Sequence, residues 1–225
     1  MPEVSLGDFL TGTVWSPLLG DEKRFGIWPL VCGTMLVTAI AAVIALPLGL
    51  VVAICAFGLL RTEFLLLERS TPPSESEQVA ALRAIFAALG PARPLTLRLA
   101  DIGGDKEVPY LRIPHEANPF LGVRGYRLAM LSGRADLRAL FASQVSAGLI
   151  AAAEAKATLR VMAPMVAVRA EVDDLLALVA AVRVDLAERG AAGNAAAAAA
   201  AMYPLRLGVM IEVPAAALTV ATLAR

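Results

Sequence analysis

The stretch Leu95-Thr-Leu-Arg-Leu-Ala-Asp-Ile-Gly-Gly-Asp-Lys106 decides the fold of this chain. The apolar run Leu95 to Leu99 predicts a strand that carries a single arginine, Arg98. Gly103 and Gly104 then favour a turn, because glycine adopts backbone angles that other residues avoid. Charged residues in a turn directly after a strand indicate a ligand site at the carboxyl end of a sheet or barrel. The same residues also fit a surface turn whose charges are solvated.

Strand and helix patterns alternate along the chain from residue 57 onward. Such alternation predicts an α/β fold in which helical crossovers join parallel strands. The sequence Ser74-Glu-Ser-Glu77 is a capping box that marks the start of one helix, and Pro214 marks the start of the last. Residues 190–201, which end in seven alanines, fit a spacer or a helical extension. The predicted strands cover 57–64, 95–99, 118–125, 159–166 and 205–211, and the predicted helices cover 74–89, 135–153, 169–189 and the residues after 214.

Four charged residues, Arg61, Arg98, Arg124 and Glu212, lie at or near the carboxyl ends of apolar runs. A buried charge is costly without a partner or a ligand. Because all four charges follow apolar runs, we expect three guanidiniums and one carboxylate to lie together at the carboxyl-end edge of the sheet or barrel, which we call the rim. Arginine binds phosphate and carboxylate oxygens two at a time, and a lone carboxylate suits a Mg²⁺ that bridges to substrate phosphate. The rim therefore suits a small phosphorylated acid. The alternative is a structural ring of salt bridges between these arginines and the carboxylates Glu63, Asp101, Asp105 and Glu212.

The composition of the 225-residue chain is unusually apolar, with 58% hydrophobic residues and a mean hydropathy of +0.70. The formal net charge is zero, so no strong field favours a nucleic acid or an acidic partner, and none is expected. The two cysteines, Cys32 and Cys55, match neither a metal-binding spacing nor a disulfide framework. Both are expected to be small buried apolar residues.

The run from Phe25 to Leu60 contains no charged residue. About 20 apolar residues span a membrane, so residues 27–60 predict a transmembrane helix with Trp28 as an interfacial anchor. Residues 25–60 would then associate the chain with the inner membrane. A buried helix of a soluble domain is the alternative.

The same apolar run carries a resemblance. Phe25-Gly-Ile-Trp-Pro-Leu-Val-Cys-Gly-Thr34 and Ala41-Ala-Val-Ile-Ala-Leu-Pro-Leu-Gly-Leu50 resemble an early transmembrane segment of the phosphate ABC transporter permease family. The resemblance covers about residues 5–55. Residues 1–56 are therefore interpreted as a permease-like hydrophobic segment.

Four motifs beyond residue 57 resemble, in the same order, the phosphoenolpyruvate-binding barrel of phosphotransferase-system enzyme I. The resemblance implies a (β/α)₈ TIM barrel, of which residues 57–225 hold about strands two to six. It implies phosphoryl transfer from phosphoenolpyruvate (PEP) to a histidine in the cytoplasmic sugar phosphotransferase system, with a phosphocarrier protein as partner. The motifs are Gly58-Leu-Leu-Arg-Thr-Glu-Phe64, Asp101-Ile-Gly-Gly-Asp-Lys106, Asn118-Pro-Phe-Leu-Gly122 with Arg124, and Gly208-Val-Met-Ile-Glu-Val-Pro214.

The resemblance also implies a role for each of the four rim residues. Arg61 and Arg98 match arginines that hold the phosphate and the carboxylate of PEP, and Arg124 matches a further arginine near the phosphate. Glu212 matches one Mg²⁺ ligand. Arginines and Mg²⁺ in such a site stabilise charge on the transferring group.

Several features of the enzyme I family have no counterpart in this sequence. The resemblance leaves unmatched the first barrel strand, the late strands with a second Mg²⁺ ligand and a cysteine acid, and the phosphohistidine domain. The only histidine, His115, is predicted to be an exposed loop residue. We therefore expect a truncated barrel that is inactive alone, behind a permease-derived segment. The alternative is a fragment of a membrane transport permease with a passive cytoplasmic domain.

Overall fold

The computed structural model describes most of the chain. It divides the chain into two units, Met1–Ala53 and Ile54–Arg225. Cys55, Asp105, Lys106 and His115 lie outside the described residues. The described residues are 5–16, 24–40, 43, 58–66, 69–103, 108, 110–111, 113, 118, 123–131 and 133–224.

The first unit is built from short elements. Helix α1 (Leu6–Thr11) precedes strands β1 (Trp15–Ser16) and β2 (Arg24–Phe25), which pair antiparallel, and helix α2 (Trp28–Ile40) follows. No residue of α2 is buried. Cys32, which was predicted to be buried, is therefore exposed.

Among the described residues, no helix combines the length and the apolar character that a membrane crossing requires. Helix α2 has 13 residues, which at about 1.5 Å per residue cover about 20 Å, short of the roughly 30 Å hydrocarbon layer. The transmembrane helix predicted over residues 27–60 is therefore not found in the part of the chain that the structure describes. Residues 41–57 of that run, apart from Val43, lie outside the described part of the chain.

The second unit contains a parallel sheet of four strands. These are β3 (Leu59–Arg61), β4 (Leu95–Arg98), β5 (Leu159–Ala163) and β6 (Leu205–Val209), and they lie side by side in chain order. All three neighbouring pairs are parallel. The predicted α/β class with parallel strands is therefore confirmed.

Helices join the strands, as the alternating pattern predicts. Helices α4, α6 and α7 reproduce three predicted helices almost to the residue, and the alanine run ending at residue 201 is helical. The described helices of this unit are α3 (Glu63–Leu66), α4 (Glu75–Leu89), α5 (Tyr126–Leu131), α6 (Ala135–Ala155), α7 (Arg169–Ala191), α8 (Ala195–Ala201), α9 (Pro214–Leu218) and α10 (Val220–Leu223).

The two faces of the sheet differ in chemistry. Leu60, Leu97 and Val161 lie side by side in register and are buried in the same hydrophobic core as the helices. The alternate positions belong to the opposite face, where Arg160 and Arg206 are in register and exposed. A sheet covered by helices on one face is consistent with the wall of a barrel.

The strand predicted over residues 118–125 is not present in its described residues. Residues 118 and 123–125 form bends and a turn that lead into α5, while residues 119–122 lie outside the described part. Gly125 has a φ of 61°, which is incompatible with an extended strand. Arg124 therefore approaches the sheet from a loop.

Helix α4 begins with the capping box that the sequence predicts. Ser74 Oγ accepts a 3.3 Å hydrogen bond from the Glu77 N–H, and Glu77 Oε2 accepts a 2.8 Å bond from the Ser74 N–H. The helix ends at Gly90, whose φ of 75° is a left-handed value that glycine tolerates. Two local signals thus fix both ends of the helix.

The capping box predicts a specific acid sensitivity. The Ser74 N–H and hydroxyl, with Arg69, lower the pKa of Glu77 from 4.5 to about 2. A depressed pKa contributes stability above the unfolded value, and this contribution is lost as pH falls from 4.5 toward 2. We expect urea unfolding to show a smaller loss of unfolding free energy between about pH 6 and about pH 3 in Glu77→Gln than in wild type. Identical losses in the two proteins would contradict this role for Glu77.

Candidate functional site

A buried guanidinium lies at the carboxyl end of β4. Arg98 is the last residue of that strand, and 1% of its surface is exposed. Its register neighbour on β3 is Arg61, and α3 begins two residues later with Glu63. Nη2 of Arg98 donates to Oε1 of Glu63 across the two strand ends. Both charges of such a buried pair are needed, because removing one leaves the other poorly compensated.

The buried carboxylate of Asp101 joins Arg98 to Arg124. Its Oδ2 lies 3.9 Å from Nη2 of Arg98. Arg124 donates from Nε to Oδ1 at 3.2 Å and from Nη2 to Oδ2 at 2.9 Å. This two-point geometry is the one by which arginine recognises carboxylates and phosphates. Two of the predicted site residues thus meet on one carboxylate.

The third predicted arginine, Arg61, has an exposed side chain. Residues in register on neighbouring strands project from the same face of a sheet, so Arg61 belongs to the same layer as Arg98. No ion pair among the described residues involves Arg61. Like charges on adjacent strands repel, which favours an anion at this position. We call Arg61, Arg98 and Arg124 the arginine cluster.

The salt-bridge ring considered from the sequence is partly present. Arg98 pairs with Glu63 and Asp101, and Arg124 pairs with Asp101. Arg98 nevertheless keeps unused hydrogen-bonding capacity, because its buried Nε has no hydrogen-bond partner among the described residues. Its Nη1 donates to a weak acceptor, the sulfur of Met210, at 3.7 Å. Leaving a buried donor unpaired costs about 1–3 kcal/mol, so an anion that reached Nε would recover this cost.

Glu212 lies on another part of the rim. It follows β6, its side chain is exposed, and its Oε1 accepts a 2.8 Å hydrogen bond from the Met165 N–H. Met165 packs against Gly125, where an added Cβ would lie 3.0 Å from the Met165 Cβ. Gly125 directly follows Arg124. Glu212 therefore connects to the arginine cluster through Met165, and no ion pair among the described residues links them.

The described residues contain no group of three or more His, Cys, Asp or Glu side chains that could hold a metal ion. Glu212 is accordingly a single candidate ligand. Mg²⁺ is commonly held by one or two carboxylates together with waters and substrate phosphates. The exposed carboxylate of Glu212 fits such a shared site.

Gln144 links the carboxyl ends of β3 and β4. The sequence analysis did not identify it as a site residue. Its Oε1 accepts a 3.2 Å bond from the Ala100 N–H, and its Nε2 donates to Thr62 Oγ1 at 2.9 Å. The Thr62 hydroxyl in turn donates to the carbonyl of Arg98 at 2.8 Å. One sequence signal could have found it: a glutamine lies within the inward face of the helix predicted over residues 135–153.

The sequence matches a family of known proteins over most of its length. The family described as "PEP-utilising enzyme, PEP-binding domain" matches residues 26–225. The chain belongs to this family. It is 40% identical over 168 residues to a multiphosphoryl transfer protein of Rhodobacter capsulatus, which covers 75% of the chain and 18% of that protein. It is 38% identical over 168 residues to a phosphoenolpyruvate-protein phosphotransferase of Haemophilus influenzae, which covers 75% of the chain and 26% of that protein.

The chain corresponds to only part of its relatives. It spans 18% of the multiphosphoryl transfer protein and 26% of the phosphotransferase. The resemblance to enzyme I inferred from the motifs is thereby confirmed at the level of a homologous domain.

The resemblance of residues 5–55 to a permease is not supported. The PEP-utilising family match begins at residue 26, inside the segment 1–56 that was interpreted as permease-like. Apolar segments resemble one another easily, because few residue types make them up. The alternative function as a membrane permease fragment loses its basis with this resemblance.

Proposed function

We propose that the arginine cluster binds PEP and that the domain takes part in phosphoryl transfer from PEP to a histidine of a partner. The observation that carries this proposal is the junction of Arg98 and Arg124 on Asp101, beside the exposed Arg61. The relatives' names, which describe PEP-dependent phosphotransferases, support the same substrate. A phosphocarrier protein of the sugar phosphotransferase system is the proposed partner, and the proposed location is cytoplasmic.

The charges of the described residues at this site favour an anionic ligand. The three guanidiniums of the arginine cluster outnumber the carboxylates of Glu63 and Asp101, which are the described ion-pair partners of Arg98 and Arg124. PEP carries both a phosphate and a carboxylate, and arginine donates two parallel hydrogen bonds to either group. In this proposal the PEP oxygens compete with Asp101 for the N–H groups of Arg124, and they reach the unpaired Nε of Arg98.

We further propose that Glu212 supplies one oxygen ligand to a Mg²⁺ that is shared with the phosphate of PEP. The ion would neutralise charge on the transferring phosphoryl group. The chain's own contribution is to hold Oε1 of Glu212 on the Met165 N–H, which leaves the second oxygen for a ligand. In this proposal β3 to β6 are inner-wall strands of a (β/α)₈ barrel, within strands two to six.

The chain is expected to bind PEP without becoming phosphorylated. The sequence contains one histidine, His115, in a segment that matches no phosphoacceptor motif. Equilibrium dialysis with ³²P-labelled PEP and Mg²⁺ should show saturable binding in wild type, and Arg124→Met should weaken this binding about tenfold or more, as expected for the loss of a charge-assisted pair. A denaturing gel of the same samples should carry no label.

The control is Arg138→Met, because Arg138 pairs with Asp174 in a salt bridge that lies outside the cluster and is more exposed than the Arg124–Asp101 pair. Wild-type affinity in this control is the expected result. Absence of PEP binding in the wild-type chain would overturn the proposed function, and a labelled chain would overturn the prediction that transfer needs a partner.

A further inference from the structure

An ion pair between a half-buried arginine and a buried carboxylate holds the turn between β5 and α7, residues 164–168, which we call the Met165 turn. Glu171, in the first turn of α7, is buried. Its Oε2 accepts a 2.6 Å bond from the Ala167 N–H and a 3.2 Å bond from the Val168 N–H. Its Oε1 accepts from Nε of Arg127, which comes from α5. The carboxylate of Glu171 thus holds the last residues of the turn, and Arg127 of helix α5 holds that carboxylate.

The peptide groups of Met165 are held on both sides. Nη2 of Arg127 donates to the Met165 carbonyl at 3.4 Å, and the Met165 N–H donates to Glu212 at 2.8 Å. Met165 has a φ of 59°, a conformation that non-glycine residues keep only when their surroundings determine it. Arg127 and Glu212 therefore each place a polar constraint on an unusual backbone geometry.

We propose that Arg127 and Glu171 are positioning residues for Glu212. The pair sets the orientation of the Met165 turn, and the Met165 N–H then fixes one oxygen of Glu212 and presents the other to the ligand. Partners that orient a metal-binding group affect metal affinity even though they do not touch the metal. The inference rests on the proposed function for the ligand, but the coupling between Arg127 and Glu212 can be tested without any ligand.

The first test is a double-mutant cycle in urea unfolding. It compares wild type, Arg127→Met, Glu212→Gln and the double variant, with Arg127→Lys as a milder form if Arg127→Met does not fold. The two substitutions should be non-additive, because each removes one constraint on the same Met165 peptide geometry. Additive losses of unfolding free energy would overturn the inference and would leave the proposed function untouched.

The second test measures how Mn²⁺, a probe for the Mg²⁺ site, changes the affinity for ³²P-labelled PEP in equilibrium dialysis. Arg127→Met should reduce the Mn²⁺-dependent gain in affinity about tenfold, with little change in metal-free affinity. On the Glu212→Gln background the same substitution should have no further effect. Arg138→Met should behave as wild type.

The possible results separate the two proposals. Equal weakening of PEP binding with and without Mn²⁺ in Arg127→Met would overturn the positioning role, since a general structural defect does not depend on the metal. An undiminished effect of Arg127→Met on the Glu212→Gln background would also overturn it. A wild-type chain that binds no PEP would overturn the proposed function, and with it the ligand role of Glu212, even where the urea cycle is non-additive.

Discussion

Replacing Arg98 with methionine should abolish PEP binding and lower the free energy of unfolding by about 3 kcal/mol. The substitution removes a partner of Glu63, whose side chain is 7% exposed, and it removes a guanidinium 3.9 Å from Asp101. Asp101 keeps its two hydrogen bonds from Arg124, so the loss of stability centres on Glu63. Urea unfolding measures the first effect, and equilibrium dialysis with labelled PEP measures the second.

A double variant separates the loss of stability from the loss of the ligand. Glu63→Leu together with Arg98→Met replaces both members of the buried pair with apolar side chains, which is often neutral or stabilising. We expect the double variant to recover most of the unfolding free energy and still to bind no PEP. Binding of PEP by the double variant would remove Arg98 from the proposed site. If the double variant did not recover the unfolding free energy, the uncompensated charge of Glu63 would not be the cause of the lower stability of Arg98→Met.

The local elements of the fold were predictable because their signals lie close together in the sequence. Helix α4 starts and ends where Ser74 and Gly90 indicate, since caps act within one turn of the helix. The strand that carries Arg98 follows from a short apolar run between turn residues. Such signals need no knowledge of the tertiary structure.

The assembly of the candidate site could be predicted only in part. The sequence indicated that Arg98 and Arg124 share a rim, but it assigned Arg124 to a strand, whereas a turn at Gly125 delivers it to Asp101 from a loop. Asp101 and Arg124 are 23 positions apart, and no local pattern encodes such a pairing. Salt bridge and ligand site use the same arginines, so residue type alone does not decide between them.

The N-terminal segment illustrates a different limit. Hydropathy over residues 25–60 predicts a membrane helix, yet the described residues of this run contain no helix that is long and apolar enough to cross a membrane. Composition reports how apolar a run is, but it does not by itself specify the length of a helix. The family match, which begins at residue 26, includes nearly all of this run.

Replacing Gln144 with leucine should lower the free energy of unfolding by about 2–4 kcal/mol and weaken PEP binding. Leucine has a similar size but no polar atoms, so the Ala100 N–H loses its acceptor and Thr62 loses a donor. Each unpaired buried group costs about 1–3 kcal/mol. Thr62 also holds the carbonyl of Arg98, so the change reaches the arginine cluster through the backbone. Urea unfolding and equilibrium dialysis measure the two effects.

A second buried glutamine provides the matched control for this prediction. Gln78 on α4 is 2% exposed, and its Nε2 donates to Ser143 Oγ at 2.8 Å and to the Pro73 carbonyl at 3.3 Å. Neither contact reaches the strand ends, so Gln78→Leu should cost stability and leave the affinity for PEP unchanged. If both leucine variants weakened PEP binding equally, the effect of Gln144 would be general destabilisation. If only Gln144→Leu weakened PEP binding, the orientation of Arg98 would depend on the Gln144 side-chain amide, which links α6 to the ends of β3 and β4.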